Sequence, residues 1–258
     1  MSDWQQFREV SAIRGSGKPA EALAKFEELR KRAIDPEDVS SILLGESLAY
    51  CQLGQFDKAA EAASEAVSLL PEESPSRPYA EFSLSCVHEQ NGKFDVAAEG
   101  FRTLLKKRAS LLRTAEYIPF GRGVQLRLIA SLIVLGHALE PLSIADALKA
   151  EDISSEERGE LSYREAQAHR LLGRHDLAVS LYKEAINGPL EDSLAARAHF
   201  HIAEVLYDRG EFREALDEFK NAEKRVEPEN PDRGLFTKWI EHTKRKVTDN
   251  KSGADRPI

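Results

Sequence analysis

The stretch RGSGKPAEAL, residues 14–23, places two glycines and a lysine before a helical pattern, an order typical of phosphate-binding loops. A P-loop also requires a glycine five residues before the glycine–lysine pair and a hydroxyl residue after the lysine. Ala12 and Pro19 occupy those places, and no strand pattern precedes them. We therefore interpret Gly17 as the glycine of a turn between two helices, and we predict no nucleotide cofactor.

Histidines and cysteines are the other residues whose types and spacing could do chemistry. His199 and His201 are two positions apart, which on a helix puts them on different faces and argues against joint metal ligation. Cys51 and Cys86 are too few for a disulfide framework, and two interpretations stay open: a redox pair, or two buried reduced thiols that pack as small hydrophobes. No nucleophile–base–orienter set accompanies them, so we expect a non-enzymatic protein with no metal and no cofactor.

Composition and charge narrow the class of protein. The 258 residues include 36 basic and 44 acidic ones, and the net charge of -8 argues against a general nucleic-acid binder. The first residues, MSDWQQF, lack the basic flank and apolar core of a secretory signal, and the most apolar run, at 128–139, is too short to span a bilayer. We expect a soluble cytoplasmic protein without nucleic-acid or membrane partners.

A short string repeated along the chain organises the sequence. It consists of a glycine, an aromatic residue two positions later and an alanine three positions after that. It occurs at Gly54, Phe56 and Ala59, at Gly92, Phe94 and Ala97, at Gly210, Phe212 and Ala215, and with a histidine in the aromatic place at Gly173, His175 and Ala178. Each glycine divides two segments whose apolar residues recur at three- and four-residue steps, which predicts two helices joined by a turn. Small residues on both helices, such as Ser47 and Ala59, should let them approach closely.

These units resemble the tetratricopeptide repeat (TPR), a helix–turn–helix of about 34 residues. The first copy departs from the pattern with Pro19 in the aromatic place, and the fourth has Pro141 in place of the alanine. The resemblance implies an all-α fold, a right-handed α-solenoid of about six TPR-like hairpins with a C-terminal capping helix. On the TPR register the copies fall at about residues 3–36, 40–73, 78–111, 123–155, 159–192 and 196–229.

The remaining segments are less regular. After the third copy we expect a loop around residues 118–123, where Pro119 and Gly121 interrupt the helical pattern. Residues 230–248 carry an amphipathic pattern and should form the capping helix. The polar residues 249–258 should form a flexible tail.

The resemblance also implies where a partner binds, because in TPR proteins the first helices line a concave groove. Aromatic residues there would supply anchoring area, and arginines would make paired hydrogen bonds to carboxylates. A second interpretation stays open, in which the aromatics pack between repeats and the arginines pair with Glu160, Glu204 and Asp208. Carried over by register, the partner-binding residues are Tyr79, Phe82, Arg127, Tyr163, Arg164, Gln167, Arg170, Arg197, Phe200, His201 and Tyr207.

The sequence therefore predicts a scaffold or adaptor that captures a protein or peptide segment, which could be acidic, in the groove of a TPR superhelix. The lysines and asparagines by which some TPR proteins hold chaperone tails are replaced here, for example by Gly45 and Ser83, which argues against that role. The alternative is a receptor for a signal peptide or small molecule. Such receptors usually carry a DNA-binding domain ahead of the repeats, whereas these repeats begin almost at Met1. Self-association through Trp4 and Phe7 or through the terminal helix is also open.

Overall fold

The computed structural model describes residues 3–254 of the chain, with side chains for residues 5–248. Within residues 3–254 the chain forms 13 α-helices and one 3-10 helix, and no strand. The predicted all-α fold of paired helices is confirmed. The chain divides after Leu135 into two compact units, and each is described by itself.

Unit 1 consists of three helical hairpins followed by a single helix. Within each hairpin the two helices pack against each other, and consecutive hairpins are in contact. A 3-10 helix, Leu111–Arg113, precedes the last helix. The helices are α1 Asp3–Gly15, α2 Pro19–Arg30, α3 Pro36–Gln52, α4 Phe56–Leu69, α5 Arg77–Gln90, α6 Phe94–Lys107 and α7 Ile118–Val134.

Unit 2 consists of one helix, two hairpins and a long C-terminal helix, with each helix packed on the next along the chain. Its helices are α8 Leu139–Lys149, α9 Ser155–Leu171, α10 His175–Asn187, α11 Asp192–Asp208, α12 Phe212–Lys224 and α13 Arg233–Ala254. Helix α13 therefore includes the backbone of residues 249–254 from the segment expected to be a flexible tail, and residues 255–258 lie outside the described part. Among the described residues no helix is long and apolar enough to cross a membrane.

The turn glycines explain why the hairpins recur. A φ between 70° and 81° lies in the left-handed region, which glycine reaches without the clash of a Cβ atom. The turn predicted at Gly17 is confirmed, since α1 ends at Gly15, α2 begins at Pro19 and no strand precedes them. Five glycines with such φ values lie between the two helices of a hairpin, namely Gly17, Gly54, Gly92, Gly173 and Gly210, and the sixth, Gly136, lies between α7 and α8.

Small residues let paired helices approach closely. Ser47 on α3 donates a hydrogen bond from its hydroxyl to the Ala59 carbonyl on α4 at 2.8 Å, which confirms the predicted contact. At Gly45 a Cβ atom would lie 2.6 Å from Cζ of Phe26, which is fully buried. Phe7 packs against Phe26 at 5.6 Å between ring centroids, within the first hairpin. The side chain of Trp4, the other residue considered for self-association, lies outside the described part.

Several first helices begin before the repeat boundaries that the sequence suggested. Helix α3 begins at Pro36 because the side chain of Asp35 accepts a hydrogen bond from the Glu37 amide at 2.8 Å. Helix α9 begins at Ser155, after a capping box in which Ser154 and Glu157 each bond the other's backbone amide. These caps define the helix ends locally, independently of the repeat register.

The loop predicted around residues 118–123 is wrong. Helix α7 starts at Ile118, and Pro119 lies in its first turn. Backbone amides in the first turn donate no hydrogen bond within the helix, so a proline is tolerated there. Gly121 lies in the same turn against Leu112, and a Cβ atom there would be 3.4 Å from that of Leu112. Both residues that were interpreted as helix breakers therefore belong to the start of a helix.

Candidate partner-binding site

The predicted site residues fall into two groups in different units, and each group is described by itself. Three of them lie in unit 1 on α5 and α7: Tyr79, Phe82 and Arg127. The other eight lie in unit 2, where α9 carries Tyr163, Arg164, Gln167 and Arg170, and α11 carries Arg197, Phe200, His201 and Tyr207.

The unit 1 group is an aromatic surface beside a paired arginine. The ring of Tyr79, which is 43% exposed, lies 4.5 Å from that of Phe120, and Phe82 lies 5.4 Å from the same ring. Arg127 Nη1 lies 3.2 Å from Oε2 of Glu89, so its charge is offset locally. This group offers apolar contact area and no unpaired positive charge.

In unit 2 a buried aromatic layer supports the polar residues. Tyr163 is 1% exposed and Tyr182 of α10 is 0% exposed, with ring centroids 5.7 Å apart. Phe200 is also buried, while the ring of His201 stacks on that of Tyr182 at 5.5 Å. Burial raises the pKa of both tyrosine hydroxyls, which therefore remain protonated near neutral pH. Tyr163 and Phe200 pack in the core, as the second interpretation of the sequence anticipated.

Helix α9 presents a connected set of polar side chains above this layer. Arg164 pairs with Glu160 at 3.0 Å and donates from Nη1 to the Gln167 side-chain oxygen at 3.4 Å. Gln167 in turn donates from Nε2 to the Tyr163 hydroxyl at 3.1 Å. The guanidinium of Arg164 also lies 5.3 Å from the centre of the Tyr163 ring. These contacts hold Arg164 and Gln167 in defined positions.

Helix α11 and its neighbours complete the polar surface. Arg197 pairs with Asp232, whose Oδ2 is 2.9 Å from Nε, and not with Glu204 or Asp208 as the second interpretation supposed. Nδ1 of His201 lies 2.8 Å from Oε2 of Glu204. The hydroxyl of Tyr207 lies 2.7 Å from Nε2 of His242 on α13.

Arg170 differs from the other arginines of the site. We call Arg164, Arg170 and Arg197 the arginine cluster, because all three act on the pKa of the Tyr163 hydroxyl. Arg170 is half-buried, and none of the carboxylates in the described part of the chain forms an ion pair with it. Its Nε, like that of Arg164, is enclosed without a hydrogen-bond partner, and so is the hydroxyl of Tyr182. The Arg170 guanidinium is close enough to this hydroxyl to oppose the rise in its pKa, although the two atoms are not aligned as a hydrogen bond.

Two residues of this arrangement were not predicted as part of the site. Tyr182 takes the large-residue place of its repeat, where the other copies have Phe26, Phe101 and Phe219, so its hydroxyl is the signal that could have identified it. Asp232 follows the last repeat copy, and the repeat register therefore gives no indication that it reaches Arg197.

The histidines and cysteines considered for chemistry do not form a shared site. Nδ1 of His199 lies 2.6 Å from Oε2 of Glu218 on α12, so it contacts a different helix from His201. Cys51 and Cys86 are free thiols, and burial raises the pKa of Cys86 to about 12. Within the part of the chain that the structure describes, no three histidine, cysteine or acidic side chains are arranged to hold a metal ion.

Comparisons with known proteins agree with the fold. A family model described as "Tetratricopeptide repeat" matches residues 7–78. The TPR-like repeats of a putative kinesin light chain of Podosopora anserina are 21% identical, with a TM-score of 0.61 over 70% of this chain and 91% of that chain. The apo form of the quorum sensor NprR from B. thuringiensis is 12% identical, with a TM-score of 0.71 over 93% of this chain and 68% of that chain.

A second structure of NprR, in complex with its cognate peptide NprX, is 11% identical, with a TM-score of 0.66 over 93% of this chain and 70% of that chain. At these identities the likeness concerns the fold alone. No match to the sequence was found among curated proteins.

Proposed function

We propose that this chain, in which residues 7–78 match the tetratricopeptide repeat and which shares the fold of TPR-like repeats, is a non-enzymatic scaffold that captures a segment of a partner protein. The TPR fold suggests a protein-interaction role, since each hairpin is a rigid element that presents side chains of its first helix. We place the captured segment on the surface formed by α9 and α11 in unit 2.

The observation that carries this proposal is a rigid polar surface with unused hydrogen-bonding capacity. Arg164 and Gln167 are held by their neighbours over the buried Tyr163, so they require little ordering when a partner binds. Arg170, by contrast, forms no ion pair with a carboxylate of the described chain. A surface that combines fixed residues with an arginine that has no ion-pair partner is suited to binding.

The charge of this surface favours an acidic segment. The protein as a whole carries a net charge of -8, yet the charges of Arg164, Arg170 and Arg197 together oppose the rise that burial causes in the pKa of the Tyr163 hydroxyl. Guanidinium groups bind carboxylates through paired, charge-assisted hydrogen bonds. Local positive charge at the arginine cluster would therefore favour acidic segments over basic ones.

The experiment is affinity capture from native lysate with a charge-reversed variant. Arg164→Glu combined with Arg197→Glu should abolish capture of the partners that the wild-type protein retains, because both charges of the site change sign. Helicity should be retained and the melting temperature should fall modestly, since Arg197 is 54% exposed but Arg164, which loses its pair with Glu160, is only 17% exposed.

A matched control comes from two other arginines of unit 2. Arg209 pairs with Asp176 at 2.6 Å and Arg225 with Asp192 at 3.0 Å, and all four side chains are more than a third exposed. The double variant Arg209→Glu and Arg225→Glu changes the net charge equally but leaves the site intact, so it should retain the partners. Equal capture by both double variants would contradict the proposed site.

A receptor for a short signal peptide or a small molecule is the second candidate function. It is favoured by the shared fold with NprR, which has been solved with its cognate peptide NprX. A thermal-shift screen of short peptides and metabolites separates the two functions. A receptor should be stabilised by one pure compound, by about 2.7 kcal/mol when the ligand is at 100 times its dissociation constant.

A further inference from the structure

Helix α13 carries the opposite charge from the rest of unit 2. Residues 136–232 include 22 acidic and 12 basic residues, whereas residues 233–248 include five basic residues and one acidic residue, Glu241. Phe236 and Ile240 are buried in the core that α13 shares with α11 and α12, so the polar side chains of α13 lie on its outer side. The terminal helix therefore presents a basic surface on an acidic unit.

The cations of this surface are exposed and form no ion pair with the described part of the chain. We call four of them the α13 cations: Lys238, Lys244, Arg245 and Lys246. Lys238 and Arg245 are seven positions apart, so they lie on one face of the helix, about 10 Å apart along its axis. Glu241 is exposed too, but it is one carboxylate among four cations, and the surface keeps a net positive charge.

The connection between α8 and α9 has the reverse composition. Residues 151–160, which we call the acidic segment, include five acidic residues and one basic residue, Arg158. Glu151 and Glu156 are exposed and, like the α13 cations, form no ion pair within the described residues. Unit 2 therefore carries two exposed surfaces of opposite charge that do not pair with each other within one chain.

We propose that the α13 cations bind the acidic segment of a second copy of this chain. Complementary charges on two exposed surfaces favour one relative orientation of two proteins over others. Each copy carries a net charge of -8, but at physiological ionic strength charges more than about 8 Å apart are largely screened. Repulsion between distant charges is therefore reduced, whereas the close pairs at the contact remain.

A second copy fits the α13 cations better than a uniform polyanion does. The acidic segment offers separate carboxylates, five acidic residues with one basic, to a helix with five basic residues and one acidic. A nucleic acid or an anionic membrane would present a continuous array of negative charge to a unit in which residues 136–232 are themselves acidic. The inference is independent of the proposed function, which concerns side chains further along α9 and on α11.

The test is sedimentation equilibrium of the full-length protein at about 0.15 M salt. The weight-average mass of the wild type should rise with concentration up to about 0.5 mM, because contacts made of exposed ion pairs are weak. Lys244→Glu combined with Arg245→Glu should weaken association at least about tenfold, since it places like charges at the contact. Glu151→Lys combined with Glu156→Lys should have the same effect from the other side.

An equimolar mixture of these two double variants is the decisive sample. Each variant alone opposes like charges, but in the mixture the reversed α13 of one meets the reversed acidic segment of the other. The mixture should therefore associate again, within about threefold of the wild type. A general effect of net charge or of altered folding would not restore association in this way.

Two control variants change the net charge equally but leave both surfaces intact. Arg209→Glu with Arg225→Glu matches the reversal of the α13 cations, and Asp176→Lys with Asp192→Lys matches that of the acidic segment. These residues pair with one another, Arg209 with Asp176 and Arg225 with Asp192, at exposed positions of unit 2. Both controls should associate as the wild type does.

Three results would overturn the inference. They are a wild type that stays monomeric at every concentration, a mixture of the two double variants that does not associate, and controls that lose association as the double variants do. A monomeric wild type that binds single-stranded DNA or anionic vesicles through Lys244 and Arg245 would assign the basic surface to that partner instead. If circular dichroism shows that a charge-reversed variant does not fold, Lys244→Gln with Arg245→Gln and Glu151→Gln with Glu156→Gln replace the reversals. Each should weaken association about threefold or more, and unchanged association in either would overturn the inference.

Discussion

Glu46 is a buried carboxyl group whose replacement by glutamine should stabilise the protein above neutral pH. It lies on α3 and is 2% exposed. Its Oε1 is 3.2 Å from Nε of Arg30, the last residue of α2, but the two are not aligned as a hydrogen bond. Arg30 also lies 3.7 Å from Glu65 on α4, so its charge is shared between two carboxylates.

Burial raises the pKa of Glu46 from 4.5 to about 7, against the opposing effect of Arg30 and with the support of Glu27 and Glu65. At about 1.36 kcal/mol per pKa unit, the difference between these values corresponds to about 3 kcal/mol. Between pH 4.5 and 7 the folded protein holds this proton more tightly than the unfolded chain does. The contribution to stability is therefore complete below pH 4.5 and is lost as the pH rises through 7.

Glu46→Gln keeps the shape of the side chain and removes this dependence. We expect the variant to be more stable than the wild type by up to about 3 kcal/mol at pH 8, and by much less at pH 5. The measurement is urea unfolding followed by circular dichroism at several pH values between 5 and 8. Arg30 retains its pairing with Glu65 in the variant, so no unpaired buried cation is created.

Glu65→Gln is the matched control because it removes a carboxylate that pairs with the same arginine but is half exposed. It should change the free energy of unfolding by less than about 1 kcal/mol, as exposed ion pairs do. A stability difference between Glu46→Gln and the wild type that is equal at pH 5 and pH 8 would refute the reasoning. So would a loss of stability at pH 8, because it would mean that the ion pair with Arg30 outweighs the cost of burial.

Four further substitutions or treatments test the packing. Gly45→Ala should lower the free energy of unfolding by about 1–3 kcal/mol in urea titrations, because its Cβ would meet the buried ring of Phe26. Gly123→Ala, with no atom within 4 Å of the new Cβ, should instead raise it by about 0.5–1 kcal/mol, and equal effects would contradict both. Tyr182→Phe should leave the melting temperature unchanged or raise it, since the hydroxyl it removes has no hydrogen-bond partner in the described chain. Cys86 should react with iodoacetamide at pH 8 at least ~tenfold more slowly in the folded than in the unfolded protein, because burial raises its pKa to about 12; equal rates would contradict this.

The hairpins could be predicted from sequence because their determinants are local and repeated. A turn glycine such as Gly54 is required by a φ of 71°, and no other residue type adopts that value as readily. The small residues beside it are required by the close approach that Ser47 and Ala59 display. Most copies carry both the turn glycine and the small residues. An irregular copy such as the fourth can therefore be recognised from its position between regular copies.

The features that the sequence did not predict depend on tertiary contacts, which cannot be read from the type of a single residue. Pro119 is compatible with a loop or with the first turn of a helix, and only the packing of Gly121 against Leu112 shows which occurs. The pairing of Arg197 with Asp232 joins residues 35 positions apart, across a segment outside the repeat register. The lack of an ion pair at Arg170 becomes evident only after the other pairings of the surface are known.

One carboxylate recurs at the same place in both units, and this recurrence yields a last prediction. Glu165 on α9 is the seventh residue of its predicted repeat copy, as Glu46 is of its own, and it is 4% exposed. It pairs with Lys149, the last residue of α8, just as Glu46 pairs with Arg30 at the end of α2. Burial is the largest cause of its raised pKa too, and its Oε2 has no hydrogen-bond partner.

In each pair the carboxylate is buried and the cation is partly exposed, so removing the cation is costly because it leaves the buried charge of the carboxylate unpaired. Each pair also joins a carboxylate of one helix to a cation at the end of the preceding helix, so it disfavours a shifted arrangement of the helices.

Because burial raises the pKa of Glu165 as it does that of Glu46, Glu165→Gln should stabilise the protein at pH 8 in the same sense as Glu46→Gln. The two effects should add, because the residues lie in different units and share no partner. Lys149→Met should instead destabilise it more at pH 8 than at pH 5, because the charge of Glu165 would then be buried alone. Urea unfolding of the three variants at both pH values measures this, and a Lys149→Met variant as stable as the wild type at pH 8 would show that the pair has no such role.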